Sequence, residues 1–535
     1  MTARGNENTQ AALDAWVRAL ALTAPIGRDV TRTLPVAIEA QAQVRGAAPA
    51  LVGSDATLSY RELAAAATRY ARWGLESGLG GGDVVCLLMP NCPEYLAVWL
   101  GLSRIRVTVA LLNTHLAGEL LAHSIRIVAP RYVIAGGALR AALAAVRDLL
   151  PREIRLAALG PGASDLPPLD AQVAAQDPSP LDAAECQAAT LEDRALYIYT
   201  SGTTGLPKAA SVSHHRLMQW SHWFAGLMDT GPDDRMYDCL PLYHSVGGVV
   251  ATGATLVGGG AVVVRERFSA REFWRDVVSE RCTLFQYIGE LCRYLVASAP
   301  DPEERRHMLR VCCGNGLREE VWQAFQSRFA IPRILEYYAA TEGSFSLYNC
   351  EGRPGAIGRI PPFLAHRMPV ALVRFDVASG EPLRDARGLC VRCAPNEPGE
   401  ALGQVRAADG TATGRFEGYA DAAASAGKIL HNVLAPGDAW YRTGDLMRRD
   451  EQGFFYFVDR LGDTFRWKGE NVSTTEVAEV IAGCPGVSDV AVYGVALPQA
   501  DGRAGMAALI VETDFDLGEL RRRLVARLPA YARPV

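Results

Sequence analysis

After residue 59 the chain alternates two kinds of hydrophobic spacing. Tyr60-Arg61-Glu62-Leu63 opens an alanine-rich run whose apolar residues recur every three to four positions, the period of a helix face. Residues 84–89 are short and continuously apolar. They follow the Gly80-Gly81-Gly82 turn and stop at Pro90-Asn91-Cys92-Pro93, which reads as a buried strand. Residues 94–102 return to the helical period, and residues 131–135 form another strand. This strand–helix–strand rhythm predicts an α/β domain with a mostly parallel sheet. From about residue 368 to 442 the pattern breaks into short strands such as 370–375 and 389–392 between Gly, Asp and Pro turns, predicting a small β-rich subdomain. Residues 453–458 are strongly β-prone and leave the turn Asp450-Glu451-Gln452-Gly453. Beyond Arg460 the pattern is mixed: a helix from Thr475, strands at 489–493 and 507–511, and a helix from Leu517. The expected fold is therefore α/β. A large N-terminal domain (1–459) of mixed parallel sheets and helices carries the β-rich subdomain, and a small α+β domain (460–535) follows it.

Composition agrees with several cores rather than one. The chain has 535 residues, beyond the ~250–300 at which single cores stop growing. Hydrophobic residues make up 49% and charged residues 21%, a globular balance. The formal net charge of −5 argues against nucleic acid as the main partner, because a phosphate backbone needs a basic face. Twelve cysteines show no regular spacing, which fits a reducing, cytoplasmic compartment. Cys390 and Cys393 form one C-x-x-C without the second pair a zinc site needs. Residues 1–10 are polar and lack the apolar core of a signal peptide. The run 245–264 has the length of a membrane span but carries six glycines. A helix, a glycine turn and a strand at 261–264 explain it better. Peripheral association with the inner face of a membrane stays open.

The sharpest chemical feature is Tyr197-Ile198-Tyr199-Thr200-Ser201-Gly202-Thr203-Thr204-Gly205-Leu206-Pro207-Lys208. A β-prone run feeds a loop of hydroxyl residues and glycines that ends in a lysine. Glycines let backbone N–H groups approach phosphate, hydroxyls donate to its oxygens, and the lysine adds a point charge. It is not a Walker A loop, because Leu206-Pro207 separates Gly205 from Lys208.

Residues 200–208 resemble the phosphate-binding signature of the adenylate-forming superfamily of acyl-CoA synthetases, luciferases and peptide-synthetase adenylation domains. Further matches follow in order: Pro241-Leu242-Tyr243-His244, Tyr337-Tyr338-Ala339-Ala340-Thr341-Glu342, Tyr441-Arg442-Thr443-Gly444-Asp445 and Asp459-Arg460. The strings at 286–294, 314–318 and 459–477, above all Phe465-Arg466-Trp467-Lys468-Gly469-Glu470-Asn471-Val472, resemble the fatty-acid transport protein/very-long-chain acyl-CoA synthetase branch. The resemblance implies an acid–thiol ligase that uses ATP, Mg²⁺ and CoA on a long-chain fatty acid. Ligation of a bulkier bile or steroid acid, or a fatty-acid uptake role with weak catalysis, stand as alternatives.

The resemblance also implies roles. Thr200, Ser201, Gly202, Thr203, Thr204, Gly205 and Lys208 would hold phosphates, with Glu342 and Thr204 on the metal. Gly314, Asn315 and Gly316 would pass the purine edge, Tyr338 would stack on adenine, and Thr341 belongs to the same segment. Asp445 would accept the ribose hydroxyls, and Arg460 would reach ribose or phosphate. His244 would position the carboxylate. Arg466 and Lys468 would serve the CoA step after a rotation about a hinge at 459–463, where Gly462 tolerates the backbone change. The catalytic set is thus Lys208, His244, Glu342 and Arg466. Phe285, Tyr287, Ile288 and Leu291 are candidates for the wall of an acyl tunnel. Ala339 and Arg106 stand where the family usually has glycine. Related enzymes also carry an adenylation lysine late in the small domain. No lysine follows Lys468, so the small domain is expected to be incomplete.

Overall fold

The computed structural model describes residues 3–161, 165–201, 206–343, 345–377, 379–405, 415–467, 470–497 and 503–535. Two sheets organise the large N-terminal part. One has six strands in the spatial order Arg155–Leu159, Tyr132–Gly136, Val84–Leu88, Thr108–Leu111, Arg194–Ser201, Pro207–Ser213. The first five run parallel and the last pair is antiparallel. Every residue of Val84–Leu88 and Tyr132–Gly136 is buried, as expected for parallel strands covered on both faces.

The second sheet has 14 strands. Its parallel centre contains Arg235–Asp238, Leu284–Ile288, Val311–Asn315 and Ile334–Ala339. Beyond Ser346–Asn349 it turns antiparallel and runs through Gly358–Arg359, Phe454–Arg460, Ala439–Arg449 and Gly399–Gln404 to Val370–Val373. The β-rich segment thus joins the main sheet. After Arg460 come the hairpin Phe465–Trp467/Glu470–Val472, the helix Thr474–Ala482, the ribbon Val487–Ala496/Arg503–Val511 and the helix Leu517–Arg527. Phe465, Trp467, Val477, Ile481 and Leu520 form their small core.

Local chemistry sets several boundaries. Ser59 and Glu62 make a reciprocal capping box that starts the helix Tyr60–Glu76. The run 245–264 becomes a π-helix at Val246–Ala251, the helix Thr252–Val257 and the strand Ala261–Val264, as its glycines suggested. Among the described residues no helix is long and apolar enough to cross a membrane. Arg106 takes a left-handed φ of 67°, a conformation that favours glycine. Its side chain pairs with Asp193 at 3.1 Å.

A helix that the hydrophobic pattern did not announce, Ala3–Thr23, packs on His214–Met228. Gly226 permits the approach: a Cβ there would lie 2.4 Å from Ala19 Cα. Trp16 is buried edge-on against Trp223 and Tyr348, at 5.7 and 5.6 Å between ring centres.

Candidate active site

The phosphate-loop candidates sit on the antiparallel pair Arg194–Ser201/Pro207–Ser213, whose register sets Thr200 opposite Lys208 and Ser201 opposite Pro207. Gly202, Thr203, Thr204 and Gly205 lie outside the described residues. The segment around Tyr419 adds to the edge of this hairpin. Ser211 N–H donates to Gly418 O at 2.9 Å, and Ala420 N–H donates to Ala209 O at 2.8 Å. Tyr419 therefore stands beside the loop. Its ring lies 5.8 Å from Lys208 Nζ, and its hydroxyl has Thr200 as one partner.

The same hydroxyl donates to Glu342 Oε1. Tyr441 Oη donates to that oxygen too, at 3.0 Å. Glu342 is buried, and the two tyrosines orient its carboxylate through Oε1. Among the described residues no cluster of three or more His, Cys, Asp or Glu could cage a metal. A magnesium ion shared with phosphates needs only one or two protein carboxylates, and one buried, oriented, hard oxygen fits that need.

The backbone next to Glu342 is tied down from the other side. Arg216, buried in the first turn of His214–Met228, donates to Thr341 O at 2.7 Å and to Arg415 O at 2.7 Å. It pairs with Glu417 at 3.5 Å. Thr341 Oγ1 lies 3.4 Å from Ser245 Oγ, which connects this loop to the residue after His244. The His244 ring stands exposed at the site, packed against Tyr243 at 4.5 Å between ring centres. Partial desolvation, with a smaller push from His115, holds its pKa below the ordinary value, so the ring is neutral at pH 7.

At the far end of the strand Ile334–Ala339, Tyr338 Oη donates to the Asp445 carboxylate. Burial raises the Asp445 pKa, while the Tyr338 hydrogen bond and nearby Arg460 oppose that rise. Arg460 Nε lies 3.9 Å from Asp445 Oδ1, because the two residues face each other across adjacent strands. Ala339 avoids the left-handed region, so its methyl group is accommodated without backbone strain.

Gly314 crosses the Tyr287 backbone so closely that a Cβ would lie 2.2 Å from Tyr287 O. Gly316 has φ 77°. Under this turn the Glu336 carboxylate accepts from Leu317 N–H at 3.0 Å and from Tyr287 Oη at 2.5 Å.

Thr200, Lys208 and Glu342 thus meet at Tyr419, and Tyr338, Asp445 and Arg460 form a second group on separate strands. Arg466 joins neither through any contact described here, since it pairs with Asp376 at 3.5 Å. Lys468 lies outside the described residues. Sequence reasoning missed Tyr419, Arg216, Glu417 and Glu336. None stands in a string that announces chemistry, and each matters through residues distant along the chain.

Behind the 339–343 loop lies a cavity of about 350 Å³. Trp220, Trp223, Phe345 and Tyr348 line it together with the charged Arg216 and Glu417. Phe285, Tyr287 and Leu291, expected to line a tunnel, instead pack into a core on another layer with Phe273, Trp274 and Trp322. Ile288 is exposed and does not line the cavity either.

An antiparallel strand pair that sets Thr200 opposite Lys208, a clamped acidic residue and a tyrosine–aspartate pair on separate strands make up the candidate site. Residues 38–400 match the family described as AMP-binding enzyme. The chain belongs to that family. Residues 476–535 match the AMP-binding enzyme C-terminal domain. Among relatives, this AMP-binding enzyme is 40% identical to long-chain fatty acid transport protein 1 of Mus musculus over 511 residues, 94% of this chain and 78% of the relative. It is 39% identical to the medium/long-chain-fatty-acid–CoA ligase FadD6 of Mycobacterium tuberculosis over 484 residues, 90% of this chain and 78% of the relative. The fold is shared with an anthranilate CoA ligase in complex with anthranoyl-AMP (TM-score 0.79, 19% identity, 94% of this chain and 92% of that one). ATP-bound MatB from Rhodopseudomonas palustris shares it as well (TM-score 0.75, 22% identity, 93% of each chain).

Proposed function

We propose that this AMP-binding enzyme is an AMP-forming fatty acid–CoA ligase acting on long-chain or very-long-chain acids. The observation that carries this reading is the 39% identity, across 90% of the chain, to a named medium/long-chain-fatty-acid–CoA ligase. A fatty carboxylate attacks the α-phosphate of ATP, giving acyl-AMP and pyrophosphate. The CoA thiolate then attacks the acyl carbon and releases AMP. Both partners of the first step are anions, so the site must neutralise charge and align them.

In this reading the hairpin backbone, Thr200 and Lys208 hold the phosphates. Glu342 and Thr204 would hold magnesium, which would supply further neutralisation of phosphate charge. Tyr338 and the turn at Gly314-Asn315-Gly316 take the adenine, and Asp445 with Arg460 takes the ribose. Neutral His244 orients the carboxylate as it enters from the cavity behind the 339–343 loop. We assign residues 1–459 to the adenylating domain and 460–535 to a small domain that turns about 459–463, bringing Arg466 and Lys468 to the CoA step. All twelve cysteines are free thiols, which supports a reducing cytoplasmic setting. Work at the inner membrane face fits a substrate that partitions into lipid.

Acid-dependent ATP–pyrophosphate exchange over a series of chain lengths, read beside CoA-dependent AMP release, tests the assignment. Exchange with bulky ring acids but none with fatty acids would favour the bile- or steroid-acid reading. Binding without exchange would favour a carrier.

A further inference from the structure

One wall of the cavity precedes the AMP-binding enzyme match, which begins at residue 38. Leu20, Thr23 and Ala24 supply it from the helix Ala3–Thr23 and the residue after it, and Gly27 supplies it from the turn Ile26–Arg28. We propose that this N-terminal wall sets which acyl chains the cavity admits, with Ala24 and Gly27 as the opening through which the end of a long chain leaves. The proposal rests on the ligase reading above.

The wall is held by packing that is independent of any ligand. Gly226 lets Ala19 come into contact with the helix His214–Met228, and Trp16 packs edge-on against both Trp223 and Tyr348. The wall's position is therefore coupled to the helix that carries Trp220 and Trp223 into the same cavity. Thr23 is buried and its hydroxyl is bonded to Ala19 O at 2.7 Å, so it brings no free donor inward. Ala24 and Gly27 are small and exposed, and a Cβ on Gly27 would meet no atom within 4 Å.

The lining supplies the reason for an opening. Trp220, Trp223, Phe345 and Tyr348 bound the cavity with large side chains, whereas Ala24 and Gly27 are the smallest residues of the N-terminal wall and already meet solvent. The end of a chain too long for the cavity leaves there.

The test is Ala24→Trp and, separately, Gly27→Trp, both at exposed positions, with Ala24→Ser as a size-matched control. ATP–pyrophosphate exchange would be measured with saturated acids from six to eighteen carbons. We expect the ratio of kcat/KM for hexadecanoate to that for octanoate to fall by about tenfold or more in the tryptophan variants, the scale of discrimination that steric limits in apolar pockets provide. The KM for ATP and the melting temperature should stay as in the parent. Displacement of a fluorescent long-chain fatty acid should show the same loss in the absence of ATP. Equal change at every chain length, or no change at any, would overturn the proposal. If the parent shows no exchange with any fatty acid yet binds the probe, the ligase reading fails. The wall is then judged by probe binding alone: weaker binding to the tryptophan variants supports it, and unchanged binding sinks it.

Discussion

The hydroxyl of Tyr338 donates to the carboxylate of Asp445, joining the strand Ile334–Ala339 to the strand Ala439–Arg449. One residue is assigned to adenine and the other to ribose, so the bond couples the two halves of the proposed nucleoside site. Asp445→Ala removes the proposed ribose acceptor and also frees Tyr338. We expect the KM for ATP to rise by an amount equivalent to ~1.5–3 kcal/mol, the value of a hydrogen bond to a charged group. The KM for the acid should change little. Tyr338→Phe keeps the ring and loses only the bond, so it should give a smaller shift in the same direction. Steady-state kinetics of each variant, with ATP and acid varied separately, would check this; parallel changes in both KM values would point to a structural role.

Tyr419 touches three residues assigned to the phosphate and metal end: Thr200, Lys208 and Glu342. Tyr419→Phe should leave Glu342 held by Tyr441 alone. We expect the Mg²⁺ or Mn²⁺ concentration at half-saturation for nucleotide binding to rise severalfold, in line with losing a hydrogen bond to a charged group. Manganese-dependent binding of a non-hydrolysable ATP analogue reads this without turnover. Conversion of supplied acyl-AMP and CoA to acyl-CoA should proceed at close to the parent rate. A variant that lost both half-reactions equally would have lost structure instead.

Much of the proposed site was legible because its residues lie in short strings that resemble the family's phosphate and nucleoside segments. The remainder depends on register and long-range packing. Tyr419 acts through a segment that docks on the strand Pro207–Ser213, about 210 residues earlier in the chain. Phe285 and Tyr287 looked like tunnel wall because they alternate along a strand, but alternation does not say which sheet face meets the cavity. The structure turns them into one core, while Gln286 between them alternates to the opposite face of the strand. The N-terminal helix buries small residues, Ala12, Ala15 and Ala19, around one tryptophan. That pattern is readable only once Gly226 is known to lie opposite.

Arg106 illustrates a local conflict with a compensating contact. Its left-handed backbone favours glycine, yet the side chain pairs with Asp193 at 3.1 Å. Arg106→Ala keeps the strain and loses the pair, and should destabilise the fold by about 0.5–1 kcal/mol. Arg106→Gly relieves the strain as it loses the pair, and should come close to neutral. Urea unfolding of the two variants would separate these terms. Equal losses would mean that backbone strain at this position is negligible.

The carboxyl of Glu336 sits fully buried beneath the Gly314-Asn315-Gly316 turn, bonded to Leu317 N–H and Tyr287 Oη. Burial raises its pKa from the ordinary carboxylate value to about 8, against the opposing effect of its hydrogen bonds. In the unfolded chain the group loses its proton near the ordinary value of about 4.3. Between those two values the folded state therefore binds more protons than the unfolded state, and stability must fall as pH rises. The slope reaches at most about 1.4 kcal/mol per pH unit from this one group. Glu336→Gln cannot ionise and should flatten that slope, although it loses one acceptor and lowers stability at pH 5. Because the turn is assigned to the purine, we also expect the KM for ATP of the parent to change between pH 6 and 9 as the buried charge develops and strengthens its bonds to Leu317 N–H and Tyr287 Oη. The variant's KM should be raised but independent of pH over the same range. Thermal unfolding and ATP kinetics of both proteins from pH 5 to 9 would decide. A parent protein as pH-independent as the variant would show that Glu336 is already ionised throughout and that its hydrogen bonds outweigh burial.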